Sequence, residues 1–106
     1  MIIKISVDFS DTPGARYKNE GKFSGEEFRE NWLEKKFVEA RAQGQKLVID
    51  FDGGYGYPIS FLEEAFGGLA RIYGSSDVLS VLDFVSNDEP TLINEVKEYI
   101  LLADNR

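Results

Sequence analysis

Apolar residues at Ile3, Ile5, Val7 and Phe9 alternate with Lys4, Ser6 and Asp8, the two-residue period of a strand with one buried and one wet face. This predicts a first strand over residues 3–9, near the edge of a sheet. Asp11-Thr12-Pro13-Gly14 reads as a turn, and residues 15–23 as a short irregular strand or a loop. At Ser24 the period changes. Phe28, Trp32 or Leu33, Phe37 and Ala40 recur at helical spacing, Ser24 and Glu27 form a capping-box pair, and Phe23 is placed to staple onto Phe28. Gly44 supplies the stop, giving a helix of about five turns.

Residues 47–51 are a nearly continuous apolar run holding only Asp50, the pattern of a central strand covered on both faces. A second helix is predicted over residues 60–73, opened by Ser60 with Glu63 as a capping box after Pro58, with Leu62, Ala65, Phe66, Leu69, Ala70 and Tyr73 on one side. Gly67 and Gly68 fall in its middle, where each costs roughly 1 kcal/mol against alanine, so they imply a close approach or an active use of that surface. Residues 78–85 read as a third strand. Asp88 or Glu89 with Pro90 marks a helix start, and Leu92, Ile93, Val96, Tyr99 and Ile100 make the last helix amphipathic.

Strands alternating with helices imply an α/β sandwich, a largely parallel mixed sheet of about four strands with helices packed against it. Functional loops of such folds gather at the carboxyl ends of the strands, where residues 53–59 fall. A length of 106 residues, 42% of them hydrophobic, suits a single domain with one core. No internal repeat or low-complexity tract interrupts it.

Charge and missing residue types narrow the chemistry. Twelve basic residues against 19 acidic ones give a net charge of -7, which repels nucleic-acid phosphates and anionic lipid surfaces. The chain holds no cysteine and no histidine, so thiol nucleophiles, disulfides, Cys/His zinc sites and imidazole bases are excluded. Apolar runs of about five residues are far short of a bilayer span. The first residues carry no charged leader, and a cytoplasmic location is the expectation.

The chemistry-bearing candidates lie around residues 50–64. Gly53-Gly54-Tyr55-Gly56-Tyr57 matches neither glycine-rich phosphate motif and has no neighbouring cation, so a small-molecule or nucleotide sensor built on the loop from Gly53 to Ser60 is the alternative reading. Tyr55, Tyr57 and Phe61 are expected instead as an exposed aromatic cluster, with Asp52, Ser60 and Glu64 beside it on a partner-binding surface. An enzyme using Asp50 and Glu64 is a third reading, though no catalytic spacing is recognisable. No catalytic residue, metal site or cofactor is assigned. Arg16, Arg29 and Arg71 are candidate ion-pair partners for carboxylates.

Ser24-Gly25, Phe28-Arg29, Val48-Ile49-Asp50-Phe51 and Ser60-Phe61-Leu62 with Glu64, Phe66 and Gly67 together resemble the STAS-like domain family of bacterial and archaeal proteins, over roughly residues 14–100. That family is similar in turn to the anti-sigma-factor antagonists. The resemblance implies a STAS-like sandwich and a non-catalytic regulatory module that binds protein. It further implies a GHKL-type ATPase or kinase as partner and Ser60 as the phosphorylation candidate. Pro58, Ile59 and Phe61 depart from the antagonists' motif, which carries an aspartate two before the phosphosite, a small residue between them and a glycine after it. The oligomeric state is left open.

Overall fold

The computed structural model describes residues 1–105. Three short strands, β1 (Ile2–Lys4), β2 (Leu47–Asp50) and β3 (Leu82–Val85), form one parallel sheet in the order β1-β2-β3. The register sets Ile3 beside Ile49 and Ile49 beside Phe84. Among the described residues five helices connect and cover the strands: α1 (Ile5–Asp8), α2 (residues 25–42), α3 (residues 59–73), α4 (Ser75–Val81) and α5 (Thr91–Leu102).

Side chains alternate across this sheet with very different surroundings. Ile3, Leu47, Ile49 and Leu82 are buried in the core, whereas Ile2, Lys4, Val48, Asp50, Asp83 and Val85 on the other face are all at least partly open. The expectation of a central strand covered on both faces is therefore corrected. Leu47-Val48-Ile49 reads as a continuous apolar run, but the helical layer covers only one side of it.

The first strand is shorter than its alternation suggests. β2 ends at Asp50, so β1 has no ladder partner beyond Lys4, and the chain coils into α1. Asp8 fixes that turn by accepting the Lys4 N–H at 2.9 Å, and Phe9 and Ser10 both donate to the Ile5 carbonyl. β1 does lie at the sheet edge, as expected. Residues 15–23 form no strand. They make a loop with one 3-10 turn (Lys18–Glu20), whose Ala15 and Arg16 carbonyls accept the Gly25 and Glu26 N–H groups at the start of α2. Three parallel strands thus stand among the described residues where about four in a mixed sheet were expected.

Residues 78–81 also depart from the strand expectation. Gly74 turns the chain at φ +89, and Asp104 receives both the Ser75 N–H and hydroxyl, which starts α4. Val78, Val81 and Leu82 sit at helical spacing as comfortably as in a strand, so a short apolar run does not distinguish the two.

α2 and α3 each contain a wide turn of π-helix, Arg29–Leu33 and Glu63–Gly67. In α2 Ser24 caps as expected, accepting the Glu27 N–H at 3.0 Å, and Gly44 ends the helix region at φ +65. Between them the buried positions are Gly25, Phe28, Leu33, Phe37 and Ala40, and the five-residue step from 28 to 33 is the π turn itself. Phe23 reaches Phe28 through Phe9, whose ring lies 5.5 Å from one and 5.1 Å from the other.

Candidate functional site

The carboxyl ends of the strands feed three segments that are tied to one another. Past β2 the chain runs through residues 51–58, and Asp52 turns back to accept the Asn87 N–H at 2.8 Å, the Asn87 side-chain amide at 2.9 Å and the Asp88 N–H at 2.9 Å. Asp88 reciprocates by accepting the Gly53 N–H at 3.0 Å. The bond from the Asp88 N–H, helped by those from Asn87, holds the Asp52 carboxyl below the usual aspartate range. On the other side Ser6 donates to the Asp52 carbonyl and the Tyr55 N–H donates to the Asp11 carbonyl. These bonds fix a glycine-rich loop that would otherwise be loose, while Gly53 (φ +91) and Gly56 (φ +129) supply backbone angles other residues resist.

The loop's aromatic residues divide sharply. Tyr55 is 85% exposed and Phe61 is fully buried at 0%, with Tyr57 between them. The Tyr57 hydroxyl donates to the Phe51 carbonyl at 2.8 Å, and its ring meets Phe51 edge-on at 5.3 Å. Burial, reinforced by Asp50, Asp52 and Asp88, pushes the Tyr57 phenol well above its ordinary value. Phe61 instead joins Phe9 and Phe28 in the core. The expected exposed cluster of Tyr55, Tyr57 and Phe61 is thus corrected: Tyr55 alone stands free of it, and the apolar residues exposed nearby are Pro58 and Ile59, the latter by 68%. A crevice of about 220 Å³ opens between Tyr55, Tyr57, Phe51, Leu92, Asp88 and Glu89, with no basic side chain in its lining.

Ser60 is half-buried in the first turn of α3, but it is not the cap. Pro58 occupies that position, and among the described residues the Ser60 hydroxyl has no hydrogen-bond partner. The expected Ser60–Glu63 capping box fails because Glu63 has stronger partners, Arg16 at 2.5 Å and Arg71 at 2.6 Å. Glu64, expected on a partner-binding surface, is buried too and pairs with Arg29 at 3.1 Å. Its carboxylate is thus engaged within the chain.

Two carboxylates and three guanidiniums thus meet where the π turns of α2 and α3 touch. Arg16 lies 3.6 Å and Arg71 3.8 Å from Glu64, so the charges form one network. The glycines make room for it. A Cβ at Gly67 would stand 2.5 Å from a Glu63 oxygen, and one at Gly68 2.8 Å from the Arg29 Nε, a buried atom without a hydrogen-bond partner. Gly25 serves the approach of the helices themselves, since a Cβ there would lie 2.6 Å from the Phe61 carbonyl oxygen. The three arginines act as expected. The close approach implied by Gly67 and Gly68 is an approach of side chains rather than of backbone.

Asp50 does not join Glu64 in any shared site. Its carboxylate accepts the Asp52 N–H at 2.9 Å and pairs with Lys4 at 3.4 Å on the open face of the sheet. Among the described residues no group of three or more carboxylates is arranged to hold a metal ion. Nor is any described helix long and apolar enough to cross a membrane. Sequence reading missed Asn87 and Asp88 as anchors of the site; their signal was the Asn-Asp pair at the end of β3, a turn signature with a free carboxylate opposite it.

Parallel strands with helices between them and a structured loop at their carboxyl ends define an α/β domain. The chain belongs to the STAS-like domain family of unknown function, whose family model matches residues 24–92. No curated protein and no solved structure matches it.

Proposed function

We propose that this STAS-like domain is a non-catalytic regulatory module that binds a protein partner through the loop from Gly53 to Ser60. One observation carries the reading: Tyr55 and Ile59 are largely exposed on a loop that hydrogen bonds hold in place, so apolar groups are presented to solvent at little ordering cost on binding. The crevice beside them is walled by Asp88 and Glu89 without a cation, which favours a protein surface over a nucleotide. Ser60 lies next to this surface with an unengaged hydroxyl. A phosphate there adds a charge of about -1.5 to -2 at the rim of an apolar contact, and release of the partner follows. The likeness to anti-sigma-factor antagonists makes a GHKL-type ATPase or kinase the partner of choice, in a cytoplasmic signalling pathway.

The test combines the purified protein with GHKL-type ATPases from the same genome. Tyr55→Ser with Ile59→Asp is expected to weaken binding by about tenfold or more without changing the melting temperature. Incubation with ATP adds one phosphate to the wild type and none to Ser60→Ala. Binding untouched by the loop variants overturns the surface; no phosphate, together with unchanged binding by Ser60→Asp, overturns the switch.

A further inference from the structure

We propose that the outer edge of β3 is a second docking site, which takes up an extended segment of another protein as an added strand and selects one that places an apolar and an acidic side chain two residues apart. In a parallel ladder the N–H and C=O of one residue point to the same side. Val85 accepts the Phe51 N–H at 2.8 Å, so Val85 and Asp83 face β2 while Phe84 between them turns its backbone groups outward. Among the described residues no strand pairs with that side. β3 also lacks the proline or bulge that commonly blunts a free edge.

Beside this edge lies an open groove of about 510 Å³ lined by Leu79, Leu82, Asp83, Phe84, Ile93 and Lys97. Leu79, Phe84 and Ile93 are only half-buried, so an incoming apolar side chain finishes their burial. Lys97 stands one helical turn beyond Ile93, is exposed, and makes no ion pair among the described residues. Alternate residues of an added strand face the same layer, so an apolar residue in the groove sets its neighbour two positions away towards Lys97. Asp83 also borders the groove, but the alternation of β3 sets it on the open face with Val48, opposite the layer that holds Lys97. A second copy of this chain fits less well: antiparallel pairing of two β3 edges brings both helical layers, and with them both Lys97 ammonium groups, to one side of the seam.

The experiment selects a displayed library of extended peptides of about ten residues against the intact protein. Enriched sequences are expected to hold an apolar-x-acidic pattern, to protect the Phe84 amide from hydrogen exchange, and to lose about tenfold in affinity with Lys97→Glu. Exchanging the peptide's acid for lysine restores binding to that variant, whose fold is checked by an unchanged melting curve. Failure to enrich, an unprotected Phe84 amide, or equal binding by Lys97→Glu overturns the proposal. So does a dimer that already protects Phe84 in the free protein, since the edge then belongs to a second copy. Each readout lies away from Tyr55 and Ser60, so loss of either proposed surface leaves the other standing.

Discussion

A serine caps a helix only where its oxygen reaches a free N–H. Ser24 does so at Glu27, and Ser60 does not, because the chain enters α3 two residues earlier, at Pro58. Ser24→Ala is therefore expected to cost about 1 kcal/mol of stability in a urea titration, and Ser60→Ala no more than about 0.5 kcal/mol. Equal losses would restore Ser60 as a cap. Asp52 supports a prediction of a different kind. Its folded-state pKa is depressed by bonds that the carboxylate accepts more strongly than the acid, so its contribution is whole above the unfolded value of about 3.9 and fades as pH falls through the lower folded value. The Asn87 and Asp88 amide resonances should move together as acid is added below about pH 4, and the movement should vanish in Asp52→Asn. The Asn87-Asp88 pair signalled a turn but not its partner, since these bonds join positions 35 residues and more apart.

At the scale of elements, α2, α3 and α5 were legible in place and length but not in pitch, while α1 and α4 read as strand. The spacing at Phe28 left Trp32 and Leu33 as equals; an α-helix favours the first and the π turn buries the second. Residues 61–70 are buried without exception, which no helix against one flat layer would allow, and the explanation is that α3 packs against both α2 and α5. Gly25→Ala tests that contact. Its new methyl meets a backbone carbonyl that has nowhere to go, and a loss of about 1 to 3 kcal/mol is expected by denaturant unfolding. Arg16→Ala tests the ion network from its outer end. With Glu63 freed from Arg16, residues 15–23 lose a tether to α3, and trypsin should cut at Lys18 and Lys22 faster than in the wild type while the core resists. Unchanged cleavage would assign the loop's order to its backbone bonds alone.

The molecule as a whole is a sheet clad on one side. Reading Leu47-Val48-Ile49 as buried on both faces followed from composition, but composition does not report which of two alternating sets meets the helices; the neighbouring strands do. Ile2, 66% exposed, and Ile3, 1% exposed, make the clearest contrast. Ile2→Lys should leave the melting temperature nearly unchanged, whereas Ile3→Lys should prevent folding or lower it steeply, because it buries a charge with no partner. Comparable losses from both would mean that the open face is covered in solution. The facing π turns carry one more consequence. Each takes in one residue more than an α turn, so Leu33 stands five positions after Phe28 and still meets the core. Loss of one residue from either turn alone would restore α spacing and keep Phe37 and Ala40, or Leu69 and Ala70, on the core side. Relatives of this chain should therefore tolerate a single-residue gap in one of these helices without the other, and such a gap marks a turn that has tightened.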